Sequence, residues 1–106
     1  MQAIFNCKDL NNMVRNYYEE NFNIVLERAA FLTPEKETDF DYFVTFKNES
    51  TSYISSLSKE QLETIIRFEL EKELEGISDI IFSNQNLEFK LTVIYIRRKN
   101  DNKIKE

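Results

Sequence analysis

LSKEQLETIIRFELEKELEG, residues 57–76, is the stretch on which the fold turns. Ser58 is spaced to accept a hydrogen bond from the Gln61 backbone N–H, Gln61 to return one to Ser58, and Leu57 to pack on Leu62. This is a capping box with a hydrophobic staple, and it starts a helix. Leu62, Ile66, Leu70 and Leu74 recur at every fourth position and give that helix one apolar stripe. The pattern runs to about Glu75, where Gly76, the only glycine, supplies the left-handed residue that commonly ends a helix.

C-terminal to this helix, residues 78–82 and 87–97 read as the arms of a hairpin turning at Ser83, Asn84, Gln85 and Asn86. Leu87, Phe89, Leu91, Val93 and Tyr95 fall on one face of the second arm. Ile94 and Ile96 make its last part apolar on both faces, which places that end centrally in a sheet or under a partner. Residues 99–106, KNDNKIKE, have no period and read as a flexible charged tail. The organisation expected is therefore one domain over 1–98 and a tail over 99–106.

On the N-terminal side, Asn6 and Asp9 form a second capping pair, with Phe5 as a staple to Leu10. Leu10, Met13, Val14, Tyr17 and Tyr18 make the apolar stripe of a first helix, and Asn11, Asn12, Arg15, Asn16 and Glu19 its wet side. Residues 22–32 fit a strand through Ile24, Leu26, Ala30 and Leu32, although Ala29 and Ala30 also suit a continuing helix; the strand reading is preferred. Pro34 and the charged run Glu35 to Asp39 form a connection. Phe40, Tyr42, Val44 and Phe46 then alternate with Asp41, Phe43, Thr45 and Lys47 in a clear strand. A turn over 48–51 leads to a short strand over 52–55. The fold class expected is α+β, two helices on one face of a mainly antiparallel sheet of four or five strands, in the order α, β, β, β, α, β, β.

Composition narrows the function classes. The 106 residues are 42% hydrophobic and 31% charged, enough apolar material for one core. One glycine excludes a glycine-rich phosphate loop. The absence of histidine removes the usual general base, the commonest zinc ligand and every histidine-dependent triad. Cys7, at a helix start beside Lys8, has no histidine to serve as its base and reads as a small structural side chain. No catalytic residue, metal or cofactor is expected, and the chain does not read as an enzyme. A lone cysteine and an N-terminus without a signal-peptide pattern point to a reducing compartment, the cytoplasm. Apolar runs such as Ala29–Leu32 and Val93–Ile96 fall far short of the roughly 20 residues a membrane span needs.

Charge is strongly polarised. Residues 1–88 carry 8 Lys and Arg against 17 Asp and Glu, net -9, and residues 89–106 carry 6 against 2, net +4, giving -5 in all. Glu69 and Glu73, one turn apart beside the apolar stripe, can share a proton, bind a cation or receive a partner's Arg or Lys; the plainer reading is a solvated rim. With Glu63, Glu71 and Glu75 they form an acidic surface able to engage a protein partner. Their spacing imitates a nucleic-acid backbone and suits a nucleic-acid-binding protein; the plainer reading is the solubility of an acidic domain.

At the opposite pole, Lys90, Arg97, Arg98 and Lys99 give a nucleic-acid-binding alternative. A helix followed by a basic hairpin, over residues 58–98, resembles the last part of a winged-helix DNA-binding domain, as an order of elements and not a residue motif. That resemblance implies DNA binding, but the second helix is acidic where a groove-entering helix is basic, so the hairpin and tail would have to make the contacts. The abundance of Asn, Ile, Lys and Glu resembles proteins of low-GC bacteria and their mobile elements, an association of composition only. A non-enzymatic regulator or inhibitor of a protein is the function expected. A nucleic-acid-binding accessory protein and a homo-oligomeric assembly subunit are the alternatives, and Phe43, Ile94 and Ile96 lead to the expectation of a homodimer.

Overall fold

The structure, a computed structural model, describes residues 1–32, 41–48, 51–85 and 88–99. The first helix begins where its caps place it. α1 (Cys7–Phe22) has Asn6 as N-cap, accepting from the Asp9 N–H at 2.9 Å while Asp9 accepts from the Asn6 N–H at 3.0 Å. It ends at Asn23, whose φ of 55° is left-handed, and the Ile24 N–H returns to the Tyr18 carbonyl at 3.2 Å. That stop resolves the ambiguity over 22–32: the chain leaves the helix and extends as β2 (Leu26–Leu32). Leu10, Met13 and Val14 are buried, and Tyr17 and Tyr18 pack half-buried against the core.

β2, β3 (Asp41–Asn48) and β4 (Thr51–Leu57) form an antiparallel meander, with Val44 opposite Ala29 on one side and Ser55 on the other. Tyr42 and Val44 are fully buried, as the alternation requires, and Phe43 is half-buried on the opposite face. The short strand expected over 52–55 extends to Leu57, directly before the next helix. The connection through Pro34 and Glu35 to Asp39, and the centre of the turn over 48–51, lie outside the described residues.

α2 (Lys59–Leu70) starts with the expected box: the Gln61 N–H donates to Ser58 Oγ at 3.1 Å, and the Ser58 N–H to Gln61 Oε1 at 2.8 Å. Ser58→Ala is expected to lower stability by about 1 kcal/mol, read as a fall in the urea midpoint. An unchanged midpoint would contradict it. The helix stops at Leu70, not near Glu75. Glu71 closes it in right-handed geometry, and the chain turns through the Glu73 N–H to Leu70 carbonyl bond, 2.9 Å. Carboxylates at 69, 71, 73 and 75 would crowd the negative end of a longer helix dipole. Leu74, read as the last member of the helical stripe, is buried from β5 (Leu74–Glu75) instead.

Gly76, with φ 72°, is left-handed as expected but turns the chain from β5 towards β6 (Asp79–Gln85). β6 and β7 (Glu88–Ile94) form the expected hairpin in unbroken register from Asp79↔Ile94 to Gln85↔Glu88. Ser83, Asn84 and Gln85, expected in the turn, are therefore paired in β6, and residues 86–87 lie outside the described residues. Leu91, Val93 and Tyr95 are buried, and Phe89 is half-buried.

Several elements depart from the expected order. The N-terminus forms a strand, β1 (Gln2–Phe5), paired antiparallel with β7, so that β7 is central in the order β1-β7-β6. Its place explains the two apolar faces around Ile94. The hairpin arm stops at Ile94, and β8 (Arg97–Arg98) pairs antiparallel with β5. Instead of one sheet of four or five strands, the described residues form two three-stranded antiparallel sheets and a two-stranded ribbon. The α+β class holds. α1 contacts β1, β7, β2 and α2, so one core is shared between the helices and both sheets. Tyr42 Oη donates to Asn11 Oδ1 at 2.7 Å, fastening the meander to α1. Asn11, on the side of the helix expected to be wet, is half-buried by this contact.

Candidate functional site

The two helices meet so that one row of α1 faces the end of α2. Asp9, Asn12, Met13, Asn16 and Glu20 recur at three and four, forming one bank of a groove. Leu70, Glu69, Lys72 and Glu73 form the other, and Phe5 closes one end. The groove has a volume of about 390 Å³. From Asp9 to Glu20 it follows roughly 16 Å of helix, at 1.5 Å per residue.

Its centre is an ionic clamp. Lys72 Nζ donates to Glu69 Oε2 at 3.0 Å and also to Glu20 Oε2, joining the two helices. The hydrogen bond to Glu20, with Glu69 adding, holds the Lys72 ammonium above the usual lysine range. Among the described residues, Glu69 is the only charged one that is buried. Burying its carboxylate is tolerable because Lys72 answers it. Lys72 also lies 5.4 Å above the Phe68 ring, and Phe68 meets Tyr17 edge-on at 5.4 Å. With Asp9 and Glu73 the groove carries four carboxylates and one ammonium over the apolar surface of Met13 and Leu70.

Of the acidic residues singled out in the sequence, Glu69 and Glu73 are brought together here. Glu63 is half-buried two turns earlier on α2, Glu71 points out from the turn, and Glu75 lies on β5, none of them lining the groove. Sequence reasoning missed Asp9, Glu20 and Lys72. One signal existed: Glu19 and Glu20 occupy the last turn of α1, where nothing basic stands and the dipole disfavours carboxylates. Such a pair calls for a cation from elsewhere in the fold.

The basic arm is folded against the acidic segment. Arg97 Nε donates to Glu75 Oε2 across the ribbon, an ion pair that holds the Glu75 carboxyl below the usual carboxylate range. Arg98 sits 5.6 Å over the Tyr95 ring. The Lys99 N–H bonds to the Glu73 carbonyl at 2.8 Å. Lys90 is exposed on β7, opposite Ser83. The two charge poles of the sequence therefore meet at the β5–β8 ribbon.

Cys7 is half-buried at the first position of α1. Among the described residues, no three His, Cys, Asp or Glu side chains are arranged to hold a metal ion, and no helix is long and apolar enough to cross a membrane. No family model, curated protein or solved structure matches this chain.

Proposed function

We propose that this protein is a non-enzymatic regulator that binds another protein through the acidic groove between α1 and α2. One observation carries the reading: four carboxylates line a groove that holds a single ammonium, Lys72, which pairs with two of them, Glu20 and Glu69, over an apolar floor. Such a groove suits an extended segment that presents Lys or Arg beside an apolar residue, the aliphatic stem lying on Met13 and Leu70 and the charge among the carboxylates. A partner whose nucleic-acid-binding surface carries clustered Lys and Arg meets that requirement. The nucleic-acid alternative is weakened because Arg97 already has a carboxylate partner and Arg98 an aromatic one.

The test compares two charge-reversed proteins. Partners are captured on the immobilised protein from a lysate, with and without nuclease treatment, and their affinity is then measured. Glu20→Lys with Glu73→Lys is expected to weaken binding at least tenfold. Arg97→Glu, Arg98→Glu and Lys99→Glu together are expected to leave it within about twofold. The opposite ordering would establish the basic arm as the working surface. Purified protein is expected to bind plain duplex DNA no better than about 10 μM at physiological salt. A tight, sequence-dependent gel shift would overturn the proposal.

A further inference from the structure

We infer that the groove between α1 and α2 takes residues 100–106 of this same chain, NDNKIKE, with Ile104 on its floor and Lys103 and Lys105 at its rims. This docking rests on the proposed reading of the groove as a site for Lys or Arg beside an apolar residue. Residues 103–105, Lys-Ile-Lys, are such a segment, carried by the chain itself.

Position, reach and charge favour this occupant over a foreign one. β8 pairs antiparallel with β5, and Lys99, the residue after β8, donates its N–H to the carbonyl of Glu73, which lines the groove. The chain therefore leaves the ribbon at one bank of the groove. From Lys99 to Ile104 an extended chain covers at most about 17 Å, against the roughly 16 Å of α1 that the groove follows. Met13 and Leu70 are within that reach without any change in the fold.

Charge supplies the match. Lys72 is shared by Glu20 and Glu69, whereas Asp9 and Glu73, on opposite banks, form no ion pair among the described residues. Two carboxylates thus await two ammoniums. In an extended chain the side chains of 103 and 105 point away from that of 104, and long lysine stems fold back over the rims while Ile104 faces the floor. Asp101 and Glu106, the acids of the segment, lie outside the Lys-Ile-Lys triplet. A tether of a few residues supplies a local concentration of about a millimolar, so a contact too weak to hold a separate peptide at micromolar concentration still fills the groove. A partner then has to displace the segment before it binds.

Nuclear magnetic resonance of the full chain tests this. A nuclear Overhauser contact is expected between the Ile104 δ1 methyl and the Met13 ε methyl or a Leu70 methyl. Lys103→Glu with Lys105→Glu is expected to abolish it and to shift the amide signals of Asn12, Asn16 and Glu69, all distant in sequence. Lys90→Glu, at an exposed position on β7, is expected to leave the contact and these signals unchanged. Shifts confined to residues 97–106, or a contact that weakens on dilution as one between two copies does, would overturn the inference. The separate peptide acetyl-NDNKIKE-amide, at a few times the local concentration of about a millimolar, distinguishes this failure from that of the proposed function. If it moves Asn12, Asn16 and Glu69 in the charge-reversed protein while the full chain shows no contact, the groove takes basic segments and only the docking within the chain is lost. If neither the peptide nor the full chain shows contact, the reading of the groove is lost with it.

Discussion

Tyr42→Ala is expected to destabilise the protein by about 3–5 kcal/mol, the range for removing a large buried aromatic side chain. Tyr42 is fully buried on β3, and its hydroxyl is the link from the meander to Asn11 of α1. The substitution leaves a cavity and an unanswered amide together. Tyr42→Phe separates the two effects. The ring stays, one hydrogen bond is lost, and the half-buried Asn11 side chain recovers part of it from water, so about 1 kcal/mol is expected at pH 8.

The same pair of proteins carries a pH signature. Burial first, and the charge of Cys7 second, raise the Tyr42 hydroxyl above the ordinary tyrosine value of 10.0. A raised folded-state value means that the native protein holds a proton that the unfolded chain releases. The stabilisation is complete below pH 10 and declines as pH rises above it, by up to about 1.4 kcal/mol per pH unit. Tyr42→Phe cannot ionise there. Its deficit of about 1 kcal/mol at pH 8 is therefore expected to vanish near pH 11. Tyr18, raised by burial and by Tyr17, leaves a residual slope of the same sign in both proteins. Urea midpoints at pH 8, 10 and 11 measure this, and parallel curves for the two proteins would rule out the burial argument.

The parts of the fold legible in the sequence are those whose causes are local. Both capping boxes lie within four residues, and the strands around Val44 and Leu91 show their buried faces by alternation alone. β1 was invisible for the opposite reason. Gln2–Phe5 is too short to show a period and becomes a strand only by pairing with residues 91–94, about 90 positions away. α2 was read too long because Leu74 continues the fourfold spacing of Leu62, Ile66 and Leu70; its burial comes from the ribbon with β8, which spacing along a helix cannot reveal. The groove lay half in view. Glu69 and Glu73 stood out, but Lys72 gains its meaning only when Glu20 arrives from the other helix.

Gly76→Ala is expected to cost about 2–4 kcal/mol, concentrated at the β5–β8 ribbon. Two effects combine. At φ 72° any residue with a side chain is held in the left-handed region, at roughly 1–2 kcal/mol. A Cβ would also stand 2.5 Å from Ile96 Cδ1 and 2.9 Å from Ile96 Cβ. The Cδ1 end can rotate away because Ile96 is largely exposed, whereas its Cβ moves only with the backbone. That backbone is held by the Ile96 N–H to Glu75 carbonyl bond at 3.0 Å. The two effects are separable. Ile96→Ala alone should cost little, and adding it to Gly76→Ala should relieve the contact with the end of the side chain while leaving the conformational cost. The double variant is thus expected to be more stable than Gly76→Ala, a non-additivity that only direct contact produces. Because the ribbon has two residues per strand, it is expected to open before the core does. Amide exchange should then accelerate at Ile96 and Lys99, whose N–H groups bond to Glu75 and Glu73, and stay slow at Leu91 and Val93 in the centre of the three-stranded sheet. Uniform acceleration across all four amides would mean that the ribbon and the core unfold as one unit.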